Sequence, residues 1–155
     1  MKRLLYLFAF MMIVSISNAQ NFYVYGTSGI MPADTLTKAN FANGIEFGYI
    51  HNNFSCGLAI RSNYEFKDYF ITAFPTATIF ETNWSSLFVY CGLGANVKNF
   101  KQLFVEYGGG LNIPINKDWI YSPSIAFDYF NQTSPSFLMN MTIIYIIPSK
   151  KKDAK

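Results

Sequence analysis

The stretch LFVYCGLGANV, residues 87–97, decides how the fold is interpreted. Alternate residues form a wholly apolar set made of Leu87, Val89, Cys91, Leu93, Ala95 and Val97. The intervening set holds small and polar residues beside two aromatic ones, and it consists of Phe88, Tyr90, Gly92, Gly94 and Asn96. A period of two residues is that of a β-strand, whose successive side chains point to opposite faces. The stretch therefore predicts a strand with two chemically different faces.

Similar segments recur along the chain, separated by turn-rich stretches. Eight strands are predicted, at Phe22–Gly29, Phe41–Ile50, Phe54–Tyr64, Tyr69–Phe80, Leu87–Val97, Gln102–Ile113, Trp119–Phe130 and Ser136–Ile147. Most are close to the roughly 9–11 residues of a tilted strand that crosses a bilayer. An even number of strands suits a barrel whose two ends emerge on one side. The pattern predicts a single all-β domain, a closed antiparallel eight-stranded up-and-down transmembrane β-barrel spanning residues 20–147.

The N-terminus has the features of a secretory signal. Lys2 and Arg3 precede an apolar run, Leu4–Val14, and small residues follow at Ser17 and Ala19. This arrangement predicts a signal peptide over residues 1–19, and the apolar run is too short for a spanning helix. An anchor that stays attached is the alternative. Residues 148–155 form a basic C-terminal tail.

Composition narrows the class further. Charged residues make up 14% of the chain and aromatic residues 19%, whereas soluble domains carry roughly 25% charged residues. Between residues 20 and 147 there are 6 basic and 8 acidic side chains, which is not the basic surface that binds nucleic acid. We therefore expect no nucleic-acid partner.

The two strand faces indicate which side meets the surroundings. A solvated exterior normally mixes charges of both signs, but the less apolar face is mostly Gly, Ser, Thr and Asn. Small side chains suit the narrow interior of an eight-stranded barrel, so the apolar face is predicted to meet lipid. Aromatic residues near segment ends are expected at the membrane interfaces, namely Tyr49, Tyr69, Trp119, Tyr129 and Tyr145. The alternative is a soluble periplasmic β-barrel that binds an apolar ligand and turns its apolar face inward.

Four charged residues share the face predicted to line the lumen, and they are Glu46, Arg61, Glu106 and Asp128. We expect them to form a polar network that fills the lumen, because buried charges must be paired. One arginine cannot neutralise three carboxylates unaided, so water or a protonated acid is implied. A polar pathway or proton-linked gate is the functional alternative.

Several residues test this interpretation. Cys56 and Cys91 are predicted on the apolar face with one strand between them, about 10 Å apart and beyond disulfide reach. No metal site or cofactor is expected from one histidine and two separated cysteines.

Pro75 and Pro123 fall inside predicted strands, and each requires a bulge or a local break. The first segment alternates poorly.

These features together resemble the small eight-stranded outer-membrane β-barrel family, which includes OmpX-like, OmpW-like and OmpA-transmembrane-like proteins. The resemblance covers residues 20 to about 147 and is carried by the small residues before Gln20, the two-residue repeats and the final Tyr145-Ile146-Ile147. Many members end on an aromatic residue that the assembly machinery reads, whereas this chain continues through Pro148 to Lys155. The resemblance is to the class as a whole.

The resemblance implies an outer-membrane location and a periplasmic N-terminus, with outer loops at Ile30–Asn40, Glu65–Asp68, Lys98–Lys101 and Asn131–Pro135. It implies outer-membrane lipid and the assembly machinery as partners, a monomer, and a structural or surface-interaction role. Lipid-modifying enzymes of this fold class use a histidine with a serine. His51, the only histidine, lies in a predicted tight turn on the inner side, so enzymatic activity is not expected.

Overall fold

The computed structural model describes residues 21–31, 40–63, 69–98, 100, 103–130 and 136–147. They form eight antiparallel strands that close into one barrel, each strand pairing with its sequence neighbours and β1 pairing with β8. The strands are β1 (Asn21–Met31), β2 (Asn40–His51), β3 (Phe54–Asn63), β4 (Tyr69–Glu81), β5 (Ser86–Asn96), β6 (Leu103–Pro114), β7 (Trp119–Phe130) and β8 (Ser136–Ile147). Across the described residues, helices of the length and apolarity needed to span a membrane are not found.

The predicted fold class is confirmed, and every strand boundary lies within two residues of its prediction. The predicted signal peptide (1–19) and tail (148–155), together with most of the predicted outer-loop residues, lie outside the described residues. Asn52 and Asn53 form the short turn between β2 and β3, and Asn52 has a φ of 52°. Asparagine tolerates this left-handed conformation, which two-residue hairpin turns often require.

The pairing register sets the shape of the barrel. One circuit of the barrel can be followed from Asn21 by moving from each residue to its partner on the next strand, and it ends at Leu138 on β8. Met139, the next residue, pairs with Ile30, so Leu138 lies opposite Met31. The circuit therefore returns ten residues farther along β1. A stagger of about 33 Å over a circumference of about 38 Å tilts the strands by about 40°. An eleven-residue strand then rises about 28 Å, close to the roughly 25 Å apolar band of membrane barrels.

The two faces of the wall differ sharply in exposure. Ile45, Phe47 and Leu58 point outward and are 67%, 56% and 52% exposed. Inward-pointing side chains are buried and include Glu46, Ala59, Thr72, Phe74, Phe104, Glu106, Ala126 and Leu138. β1 obeys the same alternation: Tyr23 points inward and is 4% exposed. Its poor sequence alternation arises because aromatic residues occupy both of its faces.

Pro75 and Pro123 are accommodated by local breaks in the ladder. β4 and β5 pair at Ala73 with Leu93 and next at Thr76 with Tyr90, in unchanged register. The pairing of β6 and β7 is likewise interrupted opposite Pro123 without a register shift. On its other side each proline keeps a partner, in β3 or β8. Because proline has no N–H, each of the two residues interrupts the hydrogen-bonded ladder, but on one side of its strand only.

Glycines make room for the large lumen side chains. A Cβ atom added at Gly57 would lie 2.1 Å from Oε1 of Glu46 and 2.5 Å from the Tyr23 hydroxyl. At Gly48 it would lie 2.4 Å from the Tyr23 ring. Gly26, on the outer face, has no atom within 4 Å of that position. The Tyr23 side chain therefore occupies space that two glycines leave open.

We predict that Gly57→Ala lowers the free energy of unfolding by about 1–3 kcal/mol, because Tyr23 and Glu46 must shift to admit the methyl group. Gly26→Ala is the matched control, and we expect it to cost well under about 1 kcal/mol. Urea unfolding in lipid vesicles measures both variants. Equal effects of the two substitutions would contradict the packing described for Gly57.

Candidate functional site

The four predicted lumen charges come from four different strands and all point inward. Glu46, Arg61, Glu106 and Asp128 lie on β2, β3, β6 and β7 and are 2%, 9%, 0% and 5% exposed. Because β3 and β6 are three strands apart in the barrel, the Arg61 side chain crosses the lumen to reach Glu106. The network therefore joins walls that share no backbone hydrogen bonds.

The central contact is an ion pair across the lumen. Nη1 of Arg61 donates to Oε2 of Glu106 at 2.5 Å. The Tyr90 hydroxyl donates to the other carboxylate oxygen of Glu106 at 2.8 Å. Cζ of Arg61 lies 4.5 Å from the centroid of the Phe74 ring, a cation–π distance. Both oxygens of Glu106 are thus satisfied, as a buried carboxylate requires.

A second cluster surrounds Glu46. The Tyr23 hydroxyl donates to Oε1 of Glu46 at 2.5 Å, and the Tyr25 hydroxyl donates to Oε2. The two tyrosine rings stack with centroids 6.0 Å apart. Glu46 is therefore held by hydrogen bonds from two phenol groups and not by an ion pair with an arginine. The network contains neutral donors as well as charged groups.

Asp128 is the fourth charged member of the network. It lies directly across the ladder from Glu106, so two carboxyl groups share one region of the lumen. Its Oδ1 atom is buried without a hydrogen-bond partner within the described part of the chain, as are Nε of Arg61 and Oγ1 of Thr72. Ordered water is the usual partner of such buried polar atoms.

A lumen cavity of about 100 Å³ adjoins both clusters. Its polar lining residues include Ser55, Thr76, Asn112, Ser122, Ser124 and Thr142. Since about 10–15 Å³ of such space is enough for one water molecule, this cavity holds several. The lumen can therefore hold water against its polar groups.

The predicted interfacial aromatic residues do not all share one environment. Tyr69, Trp119 and Tyr129 are 40%, 43% and 48% exposed. Tyr145 is half-buried beside Trp119, with ring centroids 4.8 Å apart. Tyr49 differs, since it is only 3% exposed. Tyr49 lies on its ladder between Phe22 and Cys56, whose side chains share its face.

The histidine and the cysteines form no common site. Nε2 of His51 lies 3.5 Å from the side-chain nitrogen of Asn52, which is an amide and not a nucleophile. Cys56 is buried, Cys91 is exposed, and both are free, as their predicted separation requires. Within the described ranges, groups of three or more potential metal-binding side chains are not found.

Tyr23, Tyr25 and Phe74 belong to this site but were not identified from the sequence, and Tyr90 was placed only on the inward face. The consecutive aromatic residues of β1 gave no face assignment. Gly48 follows Glu46 by two residues and so belongs to the same predicted face, and it pairs with Tyr23. A large side chain opposite an inward glycine is the signal that could have located Tyr23.

We predict that Arg61→Met lowers the free energy of unfolding by about 3–5 kcal/mol, because it leaves Glu106 buried without a cation. Adding Glu106→Gln should recover more than half of that loss, since the uncompensated carboxylate is removed. The measurement is a double-mutant cycle by urea unfolding in vesicles. Additive losses from the two substitutions would show that the 2.5 Å ion pair is not energetically coupled.

Comparison with known proteins identifies the architecture. No family model and no curated protein matches the sequence. Among solved structures, the chain is similar to a de novo designed transmembrane β-barrel, with a TM-score of 0.67 and 12% identity over 83% of this chain and 97% of that one. The N-terminal β-barrel domain of Pseudomonas aeruginosa OprF gives a TM-score of 0.62 and 10% identity over 83% and 98% of the two chains.

Neisserial surface protein A gives a TM-score of 0.57 and 14% identity over 83% of this chain and 97% of that one. At these identities the likeness concerns the fold. Natural and designed barrels thus share the closed eight-strand arrangement with this chain. The chain has the fold of the small eight-stranded outer-membrane β-barrels.

Proposed function

We propose that this protein is exported and inserted into an outer membrane, where it acts as a non-enzymatic barrel with a structural or surface-interaction role. The observation that carries the proposal is the inverted distribution of polarity. Glu46, Arg61, Glu106 and Asp128 are buried inside, whereas large apolar side chains cover the outer face. A protein surrounded by water places these groups the other way round.

The outer face is compatible with hydrocarbon along the whole wall. Exposed apolar residues near the middle of their strands include Ile45 and Leu58 on β2 and β3, Met141 on β8, and Ile125 on β7, the strand opposite β3. Closure also leaves no strand edge unpaired, which matters because lipid cannot satisfy backbone N–H and C=O groups. These features support insertion over a water-soluble state.

The alternative, a soluble periplasmic barrel that binds an apolar ligand, is poorly supported. Ligand pockets of that kind usually measure about 300–1,000 Å³ and are mostly apolar. The lumen cavity is about 100 Å³ and is bordered by Glu46, Arg61 and several hydroxyl groups. An apolar ligand would have to displace the ion pair that crosses the lumen.

The filled lumen favours a structural or interaction role over transport. Arg61 and Glu106 span the interior, and Phe74, Phe88 and Phe104 occupy neighbouring space. Outer-membrane lipid and the outer-membrane assembly machinery are the partners we propose, with the barrel acting as a monomer. Any surface partner would be engaged through the outer loops predicted from the sequence.

Fractionation of cells that express a C-terminally tagged chain tests the location. We expect the protein in the outer-membrane fraction, released by detergent and not by high salt, because the apolar outer face needs an amphiphile in place of lipid. Folded barrel should also migrate differently on a gel before and after heating. Recovery in the soluble periplasm without detergent would overturn the proposal.

Leu58→Arg tests the same proposal through energetics. Leu58 lies near mid-height on the outer face, and an arginine there should cost about 2–4 kcal/mol of unfolding free energy in a bilayer. Asn53→Arg, in the exposed β2–β3 turn, is the control, and we expect it to be nearly neutral. Urea unfolding in vesicles gives both values. A neutral Leu58→Arg would be incompatible with a lipid-facing Leu58.

A further inference from the structure

The three short turns at the end of the barrel that carries Asn21 differ in polarity. The β2–β3 turn is formed by Asn52 and Asn53, both exposed. The β4–β5 turn carries Trp84, which is 70% exposed, and the β6–β7 turn carries Ile115, which is 61% exposed. Exposed apolar surface thus continues past the strand ends at two of the three turns.

A bulge in β4 enlarges this apolar surface. The register between β4 and β5 shifts between Thr78 and Phe80, so that Phe80 pairs with the outward-pointing Leu87. In a regular strand, adjacent residues point to opposite faces, and Phe80 would then face the lumen. The bulge instead leaves Ile79 and Phe80 both on the outside, 57% and 63% exposed.

The β4–β5 turn holds its backbone in place through Thr82. The Thr82 amide donates to the Ser85 carbonyl at 2.8 Å. The Thr82 hydroxyl oxygen lies 3.1 Å from the amide nitrogen of Ser85 and 3.4 Å from that of Trp84, and both amides donate to it. The indole ring of Trp84 therefore projects from an ordered turn. Tryptophan in such a position suits a boundary that is apolar on one side and wet on the other.

We propose that the β4–β5 turn is a membrane-surface contact, in which Trp84, with Ile79, Phe80 and Ile115, lies among the headgroups and upper acyl chains of the periplasm-facing leaflet. This inference rests on the proposed function. Phe80 pairs with Leu87, and the Ile115 amide donates to the Trp119 carbonyl. The patch is therefore continuous with the apolar outer face through Leu87 and Trp119, which are 38% and 43% exposed. That continuity selects phospholipid as the occupant.

The charges around the patch fit the same occupant. Lys117, in the neighbouring turn, is exposed and suits an anionic headgroup. Glu81 is exposed and Asp118 is half-buried, and both lie at the polar margin of the turns. The contact is therefore interfacial, with Trp84 among the headgroups and upper acyl chains and the charged side chains at headgroup level.

The test uses the only two tryptophans of the chain. The full-length protein is folded into lipid nanodiscs, which leave both membrane faces open to solutes, as the variants Trp119→Phe and Trp84→Phe. The first reports on Trp84 alone and the second on Trp119 alone. Fluorescence is quenched from the membrane by phospholipid brominated near the glycerol end of its acyl chains, and from water by iodide. Heat-dependent gel migration confirms that each variant is folded.

We expect brominated lipid to quench both tryptophans, and iodide to quench Trp84 about fivefold less than it quenches free tryptophan amide. If lipid quenches Trp119 while iodide has full access to Trp84, the inference is overturned and the proposed function still holds. It would point instead to a protein partner for the patch. Absence of lipid quenching at both positions would mean that the proposed function itself fails. If Trp119→Phe does not fold, Trp119→Tyr replaces it in the same measurement.

Discussion

Closure of the hydrogen-bonded ladder is the constraint on which the rest of this structure depends. β1 pairs with both β2 and β8, so no strand edge is left to seek another partner. The ten-residue stagger of that closure sets a tilt of about 40° and thereby the radius of the lumen. In hydrocarbon, an open edge would leave backbone groups unsatisfied at a cost of several kcal/mol each.

The closed wall turns a two-residue sequence period into an inside and an outside. Inside, large side chains lie next to glycines, as Tyr23 does beside Gly48 and Gly57. Polar contacts bridge the remaining volume, and the Arg61–Glu106 pair joins strands that are three apart in the wall. The charged lumen residues therefore fill and brace the interior. They are buried with hydrogen-bonded partners, apart from single atoms such as Oδ1 of Asp128.

The strands and their faces were predictable because period-two alternation is local. The Trp119–Phe130 and Ser136–Ile147 strands were predicted with the bounds observed. Lumen contacts were less predictable, because the partner of Arg61 depends on the stagger of closure and not on the properties of any one strand. The bulge before Phe80 and the burial of Tyr49 also depend on neighbouring strands. Pro75 and Pro123 could be recognised as irregular, but the side of the ladder that each interrupts required the register.

The most direct test of this account is which methyl groups contact lipid. Nuclear Overhauser effects between protein methyls and acyl chains can be measured on methyl-labelled, otherwise deuterated protein in nanodiscs. Ile45, Leu58 and Ile60 are exposed on the outer face, whereas Ala59, Ala126 and Leu138 are buried inside. We expect acyl-chain contacts at the first three residues and none at the last three. Contacts at Leu138 and Ala126 with none at Leu58 would contradict the assignment of the two faces.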